Sequence, residues 1–134
     1  MIRADYYYGS GRLWFIDLIE SLNQKINKHI VIDDNKFILP PELGTGRIEL
    51  IEPADGIFGI IIDCEFKQEV VFHRPEIRYS DYRAIFFNSG QSNFFVKNQA
   101  GNILDISHAS SQAVFFTTGP DSVSCTFPAK QKIR

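Results

Sequence analysis

The chain has 134 residues, of which 44% are hydrophobic and 22% charged, with a formal net charge of −2 at pH 7. That length suits one domain with a proper core, and the charge gives no domain-wide basic footprint for a nucleic acid. The sequence offers no apolar run near the roughly 20 residues a membrane helix needs and no apolar signal core in Met1–Ser10, so it reads as a cytoplasmic protein without a membrane partner.

Residues 1–11 read as a flexible N-terminal arm, with Tyr6, Tyr7 and Tyr8 leading into Gly9-Ser10-Gly11. From about Arg12 to Lys28 the pattern is helical. Phe15, Leu18 or Ile19, Leu22 and Ile26 recur at spacings of three and four and form one apolar stripe. Asp17, Glu20, Asn23, Gln24 and Lys28 are its polar counterpart, and Trp14 stands at the edge of the core. Such a stripe seats a helix on a sheet.

After the helix the period becomes two. His29 to Ile32 reads as a short strand, Asp33 to Lys36 as a turn and Phe37 to Leu39 as a second strand stopped by Pro40-Pro41. Gly44 and Gly46 suit a positive-φ turn before the next strand. Strands over 47–52 and 57–66 are joined by a Pro/Asp/Gly turn. In the second of them Phe58, Ile60, Ile62, Cys64 and Phe66 alternate with Gly59, Asp63 and Glu65 between them, so five apolar side chains share one face. Further strands follow at about 69–74, 82–88, 94–97, 113–118 and 123–127. The alternating tail Lys130 to Arg134 reads as a strand whose continuation is absent, as in one domain of a longer protein. Short strands at this spacing after one leading helix predict a mainly β fold: a β-sandwich or barrel with one N-terminal amphipathic helix, occupying residues 12–134 as a single domain.

Phe is abundant, at 12 residues. Phe86-Phe87, Phe94-Phe95 and Phe115-Phe116 each fall in a predicted strand, so each pair sends one ring to either face and asks for cover on both, unless a local bulge turns both inward. Cys64 and Cys125 stand on the apolar side of their strands and read as small buried hydrophobes, reduced in a cytoplasmic protein.

The inventory for chemistry is short. His29, His73 and His108 form no His-x-His pair, and Pro75 separates His73 from Glu76, so no metal is predicted. No Gly-x-Ser-x-Gly elbow is present, and buried thiols are poor nucleophiles. His73-Arg74, with Glu69, Glu76, Arg78 and Arg83 nearby, forms a charged cluster suited to an anion or to a surface ion-pair network. The reading is non-catalytic, with no cofactor.

Leu39 to Ile48, the Asp55-Gly56-Ile57 turn and Phe72-His73-Arg74-Pro75 resemble the N-terminal sensing domains of AraC-type transcription regulators of the sort common in Bacteroidetes. The likeness covers most of residues 13–134 and rests on turn and strand patterns. It implies a cupin-like jelly roll that senses a small-molecule effector or forms a homodimer, with DNA bound only through a separate C-terminal helix-turn-helix domain absent from this chain. On that reading the barrel mouth is lined by Phe58, Ile60, Phe66, Phe86 and Phe116, with Tyr82 at the rim. The alternative is a small stand-alone cupin metal enzyme, an isomerase or oxygenase, and a plain interaction module is a third.

Overall fold

The computed structural model describes residues 1–6, 12–29, 32–55, 57–75, 83–88, 95–98, 103–105, 112–117 and 122–133. In chain order the elements begin with β1 (Ile2–Asp5), α1 (Leu13–Lys25), β2 (Lys36–Ile38), β3 (Gly44–Ala54), β4 (Ile57–Phe66) and β5 (Val70–Arg74). They continue with β6 (Arg83–Asn88), β7 (Phe95–Asn98), β8 (Ile103–Asp105), β9 (Gln112–Thr117), β10 (Val123–Phe127) and β11 (Lys132–Ile133). Among the described residues three sheets result, ordered β1-β5-β10-β7-β8, β11-β4-β3-β2 and β6-β9. The mainly β class, with one helix near its start among the described residues, is thus observed.

The first element corrects an expectation. Ile2–Asp5 is no loose arm but a strand pairing in parallel with β5, Ile2 opposite Val70 and Asp5 opposite His73. Its own alternation explains this: Ile2 and Ala4 are buried while Arg3 and Asp5 remain in water. The Asp5 N–H donates to Ser21 Oγ at 3.0 Å and fastens the strand to the helix. The parallel pair is an addition to the antiparallel order from which a jelly roll is made. Residues 7–11 lie outside the described residues.

Helix α1 buries Phe15, Leu18, Ile19 and Leu22, the stripe its spacing announces. Trp14 is half-buried beside Tyr6, ring centroids 6.2 Å apart. The helix stops at Lys25, short of Lys28, because the chain turns left-handed at Asn27, φ 54°. There the Lys28 N–H donates to the Asn23 carbonyl at 3.0 Å and the Asn27 N–H to the Gln24 carbonyl at 3.4 Å. This is a Schellman ending with Asn in the glycine position. Lys25 in the last turn complements the negative end of the helix.

β3 and β4 form the long hairpin read from the sequence. Ile48 faces Ile62 and Leu50 faces Ile60, and the register slips between Ile51 and Ala54. Pro53 lies in the slip and has no N–H to give to a ladder. Gly44 and Gly46 do take positive φ, but inside β3 rather than in a turn before it. A Cβ on Gly46 would stand 2.3 Å from the Asp63 carbonyl oxygen and 2.6 Å from the Cys64 Cα, so only glycine lets the two backbones approach.

Phe66 of one sheet meets Phe72 and Phe127 of the other, at centroid distances of 6.3 and 6.0 Å. Phe72 and Phe127 lie 5.0 Å apart, edge to face. These rings join the four- and five-stranded sheets in one core, which Ile2, Val70, Ile48, Ile133 and the apolar face of α1 share. The tail strand β11 closes on β4, with Ile133 opposite Cys64. β8, Ile103–Asp105, is not among the strands the sequence predicts.

Candidate functional site

The residues expected to line a barrel mouth do not share one fate. Phe66 is fully buried among aromatic rings and is core, not pocket wall. Phe58 and Ile60 are half-buried against that core. In the β6–β9 ladder Phe86 lies opposite Val114 and Phe116 opposite Ala84. That register puts positions 86 and 116 on one face of the ladder and 87 and 115 on the other. Tyr82 lies outside the described residues.

The His73-Arg74 cluster is divided by strand alternation. Arg74 is fully buried on the Phe72 side of β5, while His73 points to the outer face. Glu69 is exposed just before β5, at the end away from His73, and Glu76 and Arg78 lie outside the described residues. On the outer face His73 stands in register between Asp5 and Ser124. Its Nδ1 is 2.7 Å from Ser124 Oγ. Burial holds its pKa below the usual histidine value, helped by Arg3 and opposed by Asp5. The row has the composition of a hydrolase triad, but the Asp5 carboxylate takes a 2.9 Å bond from Arg3 Nε instead of the imidazole. Ladders on both sides of β5 use the strand N–H groups that an oxyanion would require.

Neither thiol is poised for chemistry. Cys64 and Cys125 are free and buried, one in each large sheet. Burial, with some help from Asp63, pushes the Cys64 thiol up to about 12, and burial also raises that of Cys125. Among the described residues no three of His, Cys, Asp and Glu converge on a point. His29 is exposed at the end of the helix and His108 lies outside the described residues.

Among the described residues, a concave surface lies where α1 ends and the chain crosses to β2. Two adjoining clefts of about 460 and 450 Å³ share Asn23, Lys28 and His29. Glu20 and Gln24 continue one of them along the helix. Phe37, Ile38, Pro40, Pro41 and Glu42 wall the other. Lys28 Nζ and Glu42 Oε1 are 3.0 Å apart across the rim, and this bond holds the Glu42 carboxyl below its ordinary pKa. The Leu43 and Gly44 N–H groups both donate to the Pro40 carbonyl and set the wall as a tight turn.

Asn23 is the unusual member. The sequence reading put it on the wet side, yet it is 2% exposed, and its side-chain Oδ1 and Nδ2 have no hydrogen-bond partner. A buried amide left this way costs about 1–3 kcal/mol, so its retention calls for an explanation. The spacing held the signal: Asn23 is four residues after Ile19 and three before Ile26, within the apolar stripe. Asn23 lines both clefts, while its side-chain polar atoms each expose less than 1 Å².

No protein-family model, no curated protein and no solved structure matches this chain.

Proposed function

We propose that this chain is a non-catalytic regulatory domain that binds a small effector in the cleft at the end of α1. The observation that carries the reading is the buried, unpartnered Asn23 amide beside a cleft of ligand size. The resemblance to AraC-type sensing domains supplies the biological setting: a cytoplasmic homodimer with a cupin-like β domain, whose DNA contacts belong to a separate helix-turn-helix domain. Two buried free thiols accord with a reducing compartment. The cleft joins α1, the 26–29 turn and the Pro40–Gly44 turn, three segments that also tie the helix to the β3–β4 sheet. An effector bound there favours one setting of the helix over others and shifts the population of a dimer contact.

The test is a thermal-shift screen of the purified chain against a broad metabolite panel, followed by sedimentation with and without each stabiliser. The expected result is a compound that raises the melting temperature and loses its effect in Lys28→Glu. A panel with no stabiliser overturns effector sensing and leaves dimerisation as the role to examine.

A further inference from the structure

We infer that the cleft takes a neutral planar ring with a cis-amide edge, an N–H beside a C=O as in a lactam or a pyrimidine base, read by the Asn23 side chain. This deepens the sensing role proposed above and rests on it. An asparagine amide offers one acceptor oxygen and a donor nitrogen side by side, and the edge that satisfies both presents a donor next to an acceptor. Both Asn23 polar atoms lack a partner, so a ligand with that edge gains two hydrogen bonds without breaking any within the protein.

The charges around the clefts are mixed: Glu20 lines one and Glu42 the other, with Lys28 and His29 in both. Lys28 is engaged by Glu42 at 3.0 Å, and Glu20 adds a second carboxylate. The C-terminal end of α1 contributes further negative potential. A phosphate or carboxylate would meet these carboxylates and the acceptor oxygen of Asn23 beside Lys28 and His29, whereas a neutral ring needs no charge partner. Pro40, Pro41 and Ile38 form an apolar wall on one side, and a flat ring lies against such a wall with little lost area.

Each polar atom of Asn23 exposes less than 1 Å², and Asn23 is a lining residue of both clefts. The ligand therefore meets it after a side-chain rotation toward the cleft. Rotation breaks no side-chain bond, because the amide makes none, and the backbone carbonyl of Asn23 stays bonded to Lys28 and Ile26.

The experiment titrates the ¹⁵N-labelled full chain with uracil, and separately with 1,3-dimethyluracil, which keeps the ring and removes the N–H. Uracil is expected to move the Asn23 side-chain NH₂ signals together with the backbone signals of Lys28 and His29. Dimethyluracil should bind at least tenfold more weakly. Asn23→Leu should lose at least tenfold in uracil affinity while keeping a dispersed spectrum, and the dimethyluracil comparison needs no variant to fold. Equal binding of the two rings, or undiminished binding to a folded Asn23→Leu, overturns the inference. So does an Asn23 amide that no ring moves and that shows only a bound water. If a different panel compound shifts Lys28 and His29 but leaves Asn23 still, the cis-amide inference falls and effector sensing stands. If no compound binds, both fall.

Discussion

The two ends of the β3–β4 hairpin have the same alternation and different surroundings. At the base, Cys64 and Phe66 are buried, Gly44 and Gly46 let the strands close together, and β11 covers the outer edge beside Cys64 and Glu65. Toward the tip, Phe58, Ile60 and Ile62 are only half-buried and Ile61 is 42% exposed. No described strand lines the outer edge of β4 from Ile57 to Asp63. Alternation therefore says which way a side chain points. How much it contributes depends on what the other sheet brings to it.

The strongest way to break this contrast is at Gly46. Gly46→Ala drives a Cβ into the backbone of Asp63 and Cys64, which cannot yield as a flexible side chain would. It is expected to cost about 4 kcal/mol or to abolish folding, read by urea denaturation. Gly59→Ala, nearer the tip, meets only Ile51 side-chain carbons at 3.6 and 3.8 Å and should be tolerated.

Truncating the rings sharpens the same comparison. Phe66→Ala removes the side chain that bridges the sheets and should cost about 3–5 kcal/mol. Phe58→Ala, half-buried, should cost about 1 kcal/mol. Equal losses would show that the tip is as deeply covered as the base.

Thiol reactivity probes whether the base stays closed. With its pKa raised to about 12, Cys64 should resist Ellman's reagent at pH 8 in the native chain and react promptly in urea. Native reactivity close to the unfolded rate would mean that the base opens readily.

The smallest effect belongs to the outer face of the five-stranded sheet. Since folding lowers the His73 pKa, the unfolded chain takes up its proton first as pH falls. The His73 contribution is full above the unfolded value of about 6.5 and declines as pH drops from there through the folded value. His73→Gln should flatten that part of a stability-versus-pH curve, measured by denaturant midpoint. An unchanged slope would assign it to other groups.

The candidate site shows where reading a sequence stops. The stripe Phe15, Leu18, Ile19, Leu22 was legible because every member is apolar. Asn23 lies in the same stripe, yet its polarity suggested the wet side. Residue type and position disagreed there, and position prevailed. The barrel-mouth reading of Phe58, Ile60, Phe66, Phe86 and Phe116, with Tyr82 at the rim, meets a related limit at Phe66: a run of inward-facing rings reads the same whether the opposite sheet leaves a hollow or fills it. Here Phe72 and Phe127 fill it.

The sequence by itself determined the helix after residue 12, the hairpin through Phe66, strands β5 and β10 and the burial of both thiols. Each is written in a period of two or of about 3.6 within a few neighbouring residues. Only the tertiary structure decided that Ile2–Asp5 pairs with β5 residues 68 positions away, that the tail returns to β4 and that the cleft opens beside Asn23. Those outcomes depend on which distant strand supplies the unpaired N–H and C=O groups and which surface is left over, and a local period carries no record of either.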